Sequence, residues 1–254
     1  MAEDSGRRGW RVFRNRDFAL YCAARFLSAT AIQMQTVAVS WLVYDLTGSA
    51  LALGLVGLFA FLPVAGLVLV SGLAADRCDR RTILIVCYAI STAGAAGLLT
   101  LAWNGPHALW PIYALIVLFG SCRAFSNPAG QALLPNLVPP GDLTVAVTWN
   151  SSAWQTAIIL GPAVGGILYG ASGTTVFAVA TGLFAITLGL LLAIRHRSAT
   201  RPRTAAGWGE LVGGIRFLFA KRIILGAITL DLFAVLLGGA TALLPIYARD
   251  ILAV

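Results

Sequence analysis

Seven apolar windows divide this sequence, at 18–43, 49–73, 82–103, 108–127, 144–170, 174–194 and 223–248, and nearly all of its charge falls between them. A helix needs about 20 apolar residues to cross a bilayer core, whereas a barrel strand needs only about 10. Windows this long predict an all-α, polytopic membrane protein. Hydrophobic residues make up 59% of the chain and charged residues 11%, against about 25% charged in soluble domains. A water-soluble fold of this composition would expose apolar patches large enough to aggregate. The first window is too long for a cleaved signal peptide and follows a polar segment, so it reads as a retained span.

Arginine placement sets the expected orientation. With the N-terminus inside, the inner segments hold Arg7, Arg8, Arg11, Arg14, Arg16, Arg77, Arg80, Arg81, Arg195, Arg197, Arg201, Arg203, Arg216, Lys221 and Arg222, while the outer ones hold only Arg249. The net charge of +8 is thus the positive-inside bias of a plasma or inner membrane protein, not a nucleic-acid footprint. The order that follows is a cytoplasmic N-terminal segment (1–17), a six-helix bundle (18–194), a cytoplasmic linker (195–222) and a seventh span with its tail (223–254). Outer loops near 45–49, 104–107 and 171–173 are short, so consecutive helices are expected to pack as antiparallel neighbours. Within the linker, Trp208, Leu211, Val212, Ile215, Leu218 and Phe219 fall at helical spacing beside arginines. That pattern predicts an interfacial helix on the inner leaflet or, alternatively, a partner-binding helix.

Charge within or beside spans is costly and usually functional. Arg25 and Arg123 lie inside the first and fourth windows, where an arginine can snorkel, pair with a carboxylate or bind an anionic group. Asp231 is the acid well inside the seventh window, a candidate proton carrier or a partner for an arginine. Gln33, Thr36, Ser40 and Tyr44 form one polar stripe, and Thr148, Ser151, Ser152 and Gln155 a second, flanked by Trp149 and Trp154. Two such stripes are expected either to share an aqueous cavity, lined by Arg25, Gln33, Gln35, Arg123, Trp149, Asn150, Trp154 and Gln155, or to hydrogen-bond between helices. In the fifth window, Gly161/Gly165 and Gly166/Gly170 are small-xxx-small pairs that allow close helix approach, as glue or, with Pro162, as a hinge. Pro63-Val-Ala-Gly66 in the second window echoes Pro162-Ala-Val-Gly165 in the fifth, as a repeat of three-helix groups predicts.

No enzyme constellation is present. His107 and His196 are isolated, and Cys22, Cys78, Cys87 and Cys122 lack metal-ligand spacing, so neither a metal nor any other cofactor is expected. There is no GxxxxGK[ST] phosphate loop, so energy would come from an ion or substrate gradient.

Between the second and third windows stands Gly72-Leu-Ala-Ala-Asp76-Arg77-Cys-Asp79-Arg80-Arg81. This run resembles the loop between helices two and three of major facilitator superfamily transporters, with Gly72, Asp76, Arg77, Arg80 and Arg81 matching. Ala74 stands where leucine is usual and Asp79 where a second glycine is. Asp76 near a helix N-terminus and arginines near C-termini would complement helix dipoles and latch one state. Gly161-Pro162-x-x-Gly165-Gly166 resembles the motif of the exporting, antiporter branch, and Arg123 the superfamily's membrane-embedded arginine, although Ser126 and Asn127 replace the usual glutamine-glycine. The runs Tyr44–Gly54 and Phe125–Pro135 are similar to exporters of the enterobactin-exporter and macrolide-efflux type.

The resemblance implies drug or siderophore efflux from the cell, driven by protons, with the 72–81 loop as gate. Lipid, a small-molecule substrate and protons would be the partners. The superfamily has two six-helix halves, and seven spans amount to one half plus a helix. The resemblance therefore implies a truncated product or a second chain that completes the carrier. An importer of the same fold and a non-transporting membrane protein are the rival readings.

Overall fold

Side chains that satisfy loose helix ends mark out the architecture. Asn15 caps α1 (Arg16–Thr47), its side chain accepting from the Asp17 amide, and Ser49 caps α2 (Ala50–Arg77) by accepting from Ala52. Asp79 caps α3 (Arg80–Asn104) through the Thr82 amide. Gly48, at φ 58°, takes the left-handed turn that ends α1 and donates its N–H to the Tyr44 carbonyl, a conformation glycine adopts without a Cβ penalty. The remaining helices are α4 (Trp110–Leu137), α5 (Leu143–Ala171) and α6 (Gly173–Ala193), with short 3-10 turns at Val12–Arg14 and Pro140–Asp142. The computed structural model describes residues 12–105 and 108–195, together with 226, 229 and 230. The linker helix, the seventh span and Asp231 lie outside the described residues.

All six helices coincide with the first six apolar windows. The fourth window can run on past Pro128 as a kinked helix because neighbouring helices re-satisfy the freed carbonyl, and α4 does continue ten residues past 127, through Pro128 and Pro135, to Leu137. Among the described residues, four helices are apolar and long enough to cross a bilayer: Arg16–Thr47, Ala50–Val68, Arg80–Asn104 and Gly173–Ala193. The two others, α4 and α5, carry the mid-helix polar residues: Arg123, Ser126 and Asn127 in one, Thr148 through Gln155 in the other.

Packing does not follow chain order. The main partners of α1 are α5 and α6, those of α4 are α2 and α3, and α3 joins α6 across the middle, whereas α2 and α3 barely touch. The expectation that short loops make consecutive helices neighbours holds for α3 and α4 alone. A tight turn fixes only where helix ends meet; small residues and core shape decide which faces dock. The pattern has a two-fold character in which α1, α2 and α3 correspond to α4, α5 and α6, as the proline-glycine echo implied.

Small residues permit these contacts. Ala24, Ala31 and Ala38, seven residues apart, are buried along α1. An added Cβ at Gly165 of α5 would lie 2.9 Å from Met34 Cα, and one at Gly120 of α4 would lie 2.8 Å from the Ala60 carbonyl of α2. The core has two lobes, one around Phe18, Tyr21, Leu133 and Leu191 and one around Met34, Val43, Leu98 and Phe177, with Phe119 and Leu183 packed against both.

Candidate functional site

One cavity of about 100 Å³ opens between the helices. Its apolar walls come from Ile32 and Val39 of α1, Val56 and Ala60 of α2, Ile116 and Phe119 of α4 and Phe184 of α6. Polar groups converge on it: Gln35 and Thr36 from α1, Cys87, Tyr88 and Ser91 from α3, Cys122, Arg123 and Ser126 from α4. Apolar walls with a few fixed polar groups are the usual make-up of a small-molecule site. Gln35 is buried, and among the described residues its Oε1 has no hydrogen-bond partner. Tyr88 Oη donates to Ser28 Oγ at 3.0 Å, and Ser28 Oγ donates to the Arg25 carbonyl at 3.1 Å, so one wall is tied into α1.

The expected set of cavity residues divides. Gln35 and Arg123 line this cavity; Arg25 and Gln33 of α1 do not, and neither do Trp149, Asn150, Trp154 and Gln155 of α5, a helix that contributes none of the lining residues. Arg25 instead reaches to α5, its Cζ 4.6 Å from the centroid of the Trp154 ring, a cation–π contact. Arg25 as a whole is 9% exposed, and its Nε has no hydrogen-bond partner among the described residues. Gly130 of α4 lies close by, and a Cβ there would press on Tyr21 Oη at 3.3 Å while meeting Arg25 Nη1 at an ordinary 3.8 Å. Trp149 packs edge-on against Phe13 at 5.1 Å. Asn150 Oδ1 is buried without a partner, and Gln155 is exposed. Gln33 lies under Gly161, where a Cβ would come within 2.5 Å of its own.

The two polar stripes therefore do not meet in one cavity among the described residues. Thr36 and Ser40 donate back to the Ile32 and Thr36 carbonyls, and Thr148 to Thr144, spending their hydroxyls within their own helices. Sequence reading missed Cys87, Ser91, Cys122 and Ser126. Their signal is a shared Cys-x-x-x-Ser spacing, which sets both groups on one helix face.

Of the glycine-proline run, Gly161 and Gly165 press against Thr30–Met34 of α1, whereas an added Cβ at Gly166 or Gly170 would meet nothing within 4 Å. Within the described residues only the first pair is a packing contact. Pro162 sits inside α5.

At the basic end of the bundle, the Gly72–Arg81 segment is the end of α2, a two-residue break at Cys78 and Asp79, and the start of α3. Arg80 donates from Nε to the Ala75 carbonyl and from Nη1 to the Ala132 carbonyl, at 3.3 and 3.0 Å. Arg81 donates to the Leu191 and Leu192 carbonyls, at 3.2 and 2.9 Å. Both arginines thus satisfy carbonyls near the C-terminal ends of other helices, as their charge favours. The acid expected at a helix N-terminus is not Asp76, which is exposed in the last turn of α2. That place belongs to Asp79, whose Oδ2 accepts from the Thr82 amide and hydroxyl. Asn15 Nδ2 donates to the Leu137 carbonyl and the Arg195 amide to Asp17 Oδ1. The ends of α1, α4 and α6 are tied here as well. At the opposite end Tyr169 Oη donates to Asp45 Oδ2 at 2.9 Å.

Residues 7–254 match the family described as transmembrane secretion effector. The multidrug efflux pump Tap of Mycobacterium tuberculosis is 30% identical over 243 residues, covering 89% of this chain and 57% of Tap. Macrolide efflux protein A of Streptococcus pyogenes is 30% identical over 147 residues, 58% of this chain and 36% of that protein. The MFS-type transporter YfiS of Bacillus subtilis is 29% identical over 246 residues, 92% of this chain and 58% of YfiS. The matches thus cover little more than half the length of Tap and YfiS and about a third of macrolide efflux protein A.

Proposed function

Because this chain belongs to the transmembrane secretion effector family of major facilitator transporters, we propose that it forms the α1–α6 half of a carrier that exports small amphipathic compounds in exchange for protons. The observation that carries the reading is the cavity between α1, α2, α3, α4 and α6, where Gln35 and Arg123 stand among apolar walls. Such a lining suits a compound with a greasy body and one or two polar groups. Both efflux relatives are named for drugs, a multidrug pump and a macrolide exporter, which supports export over import.

Transport would proceed by alternating access, the two halves of a carrier rocking about a site near the midplane. Arg80 and Arg81 would hold the α2–α3 hinge to α4 and α6 in one state, and exposed Asp76 would be free to engage the facing half. Gly161, Pro162 and Gly165 would let α5 pivot on α1. Arg25, with its cation–π partner Trp154, would await an anionic group on a substrate or on the other half, and Asp231 would carry the proton. The basic end would face the cytoplasm, by the arginine bias. Since the chain spans 57% of Tap, a full pathway takes further helices, and a second chain could supply them.

Dye accumulation in cells expressing residues 1–254, with and without a proton uncoupler and beside Asp76→Ala, tests this reading. Uncoupler-sensitive, Asp76-dependent lowering of a fluorescent amphipathic dye is expected. Accumulation equal to empty cells, with the protein present in the membrane, counts against export by this chain.

A further inference from the structure

Cys87 and Cys122 line the same cavity from facing helices α3 and α4, each 6% exposed, and both thiols are free. The two side chains are near enough to interact electrostatically, and Ser91 lines the cavity beside them. Two converging thiols need no third residue to hold a cation that favours linear two-sulfur coordination, and soft thiolates select soft d10 ions over hard ones. No carboxylate lines the cavity to attract a hard cation, and its remaining walls are largely apolar.

We propose that Cys87 and Cys122 form a two-thiolate site for a soft monovalent cation, Cu(I) or Ag(I). Binding exchanges two S–H bonds for two S–metal bonds, and the two protons leave to solvent; no electron moves. Charge favours the monovalent ion. Two thiolates and one monovalent cation leave a single negative charge, and the Arg123 guanidinium lining the same cavity offsets it. A divalent ion would leave the arginine positive and unneutralised inside the bundle, at a cost in a low-dielectric setting. The Ser91 hydroxyl, lining the same cavity, would donate to the Cys122 thiolate once the metal is bound. The inference stands apart from export, since it requires binding alone.

The test is silver binding to the detergent-purified chain by native mass spectrometry, in a Cys22→Ala/Cys78→Ser background that removes the other thiols. One Ag(I) per chain is expected. Cys87→Ser and Cys122→Ser should each abolish it, and Ser91→Ala should weaken it by about tenfold. Wild-type protein gives an independent reading: silver should protect both Cys87 and Cys122, read peptide by peptide, from maleimide alkylation. Binding that survives either serine variant, or protection of one cysteine without the other, overturns the proposal.

Discussion

Arg25 of α1 lies with its Cζ 4.6 Å from the centre of the Trp154 ring of α5, and this contact joins the two helices whose polar stripes the sequence singles out. Arg25 is nine-tenths buried as a residue, so the ring face stands in for part of the hydration its charged group loses. Cation–π contacts contribute about 0.5–2 kcal/mol, the upper figure when desolvated. Trp154→Ala is predicted to lower the thermal unfolding midpoint in detergent, Trp154→Phe to lower it less, and Arg25→Lys to fall between wild type and Arg25→Ala. Equal midpoints for Trp154→Ala and wild type would show that the ring contributes nothing.

The glycines of α5 give a prediction with opposite signs at adjacent residues, Gly165 and Gly166. At Gly165 a Cβ would sit 2.9 Å from Met34 Cα and 3.1 Å from the Met34 carbonyl, both backbone atoms that cannot swing aside. Gly165→Ala should therefore destabilise by about 1–3 kcal/mol, the range for overpacking. Gly166→Ala and Gly170→Ala meet open space and should be neutral or stabilising, since alanine gains up to about 1 kcal/mol of helix propensity over glycine. Paired melting curves of the alanine variants decide it, and a destabilised Gly166→Ala would reveal a neighbour on that face.

Fold class and the first six helices were legible because apolar length is a local property. The site was not, because a polar stripe shows which side of a helix is polar and not which helix faces it. Gln35, one residue off the predicted α1 stripe, lines the cavity, whereas Ser40 on the stripe bonds back to Thr36. Cys87 and Cys122 read as bland small hydrophobes until α3 and α4 are packed together. The dipole argument for the 72–81 loop chose the right chemistry and the wrong acid. Asp76 looked suited because it precedes a helix, but α2 continues through it to Arg77, and the cap falls to Asp79.

That reassignment is testable. Asp79→Ala removes the acceptor for the Thr82 amide and hydroxyl and should cost about 1 kcal/mol, whereas Asp79→Ser, also a good cap, should cost less. Asp76→Ala should leave stability within about 0.5 kcal/mol of wild type, as exposed substitutions do. Denaturation midpoints of the three variants settle the order. A larger loss at Asp76 than at Asp79 would reverse the assignment.

Arg81 donates to two successive carbonyls at the end of α6, Leu191 and Leu192, from two nitrogens of its fork. Lysine carries the same charge but cannot present that planar pair of donors. Arg81→Ala should destabilise by about 1–2 kcal/mol, allowing for partial exposure of the charged hydrogen bonds, and Arg81→Lys should recover less than half of it. Full recovery by lysine would mean that charge at the helix terminus, not the fork, is what matters.

Gln35 separates stability from function at the cavity. Its Oε1 is buried with no partner, and a buried acceptor left unpaired costs about 1–3 kcal/mol. Gln35→Met keeps the side-chain length and removes the polar group, so the fold should be as stable as wild type or more so. If the amide serves a polar group on the exported compound, the same variant should export poorly despite its stability. The measurement is a melting midpoint alongside dye accumulation in cells. A variant that is at least as stable and still exports normally removes Gln35 from the binding site, while lost stability would mean that the amide has a structural partner after all.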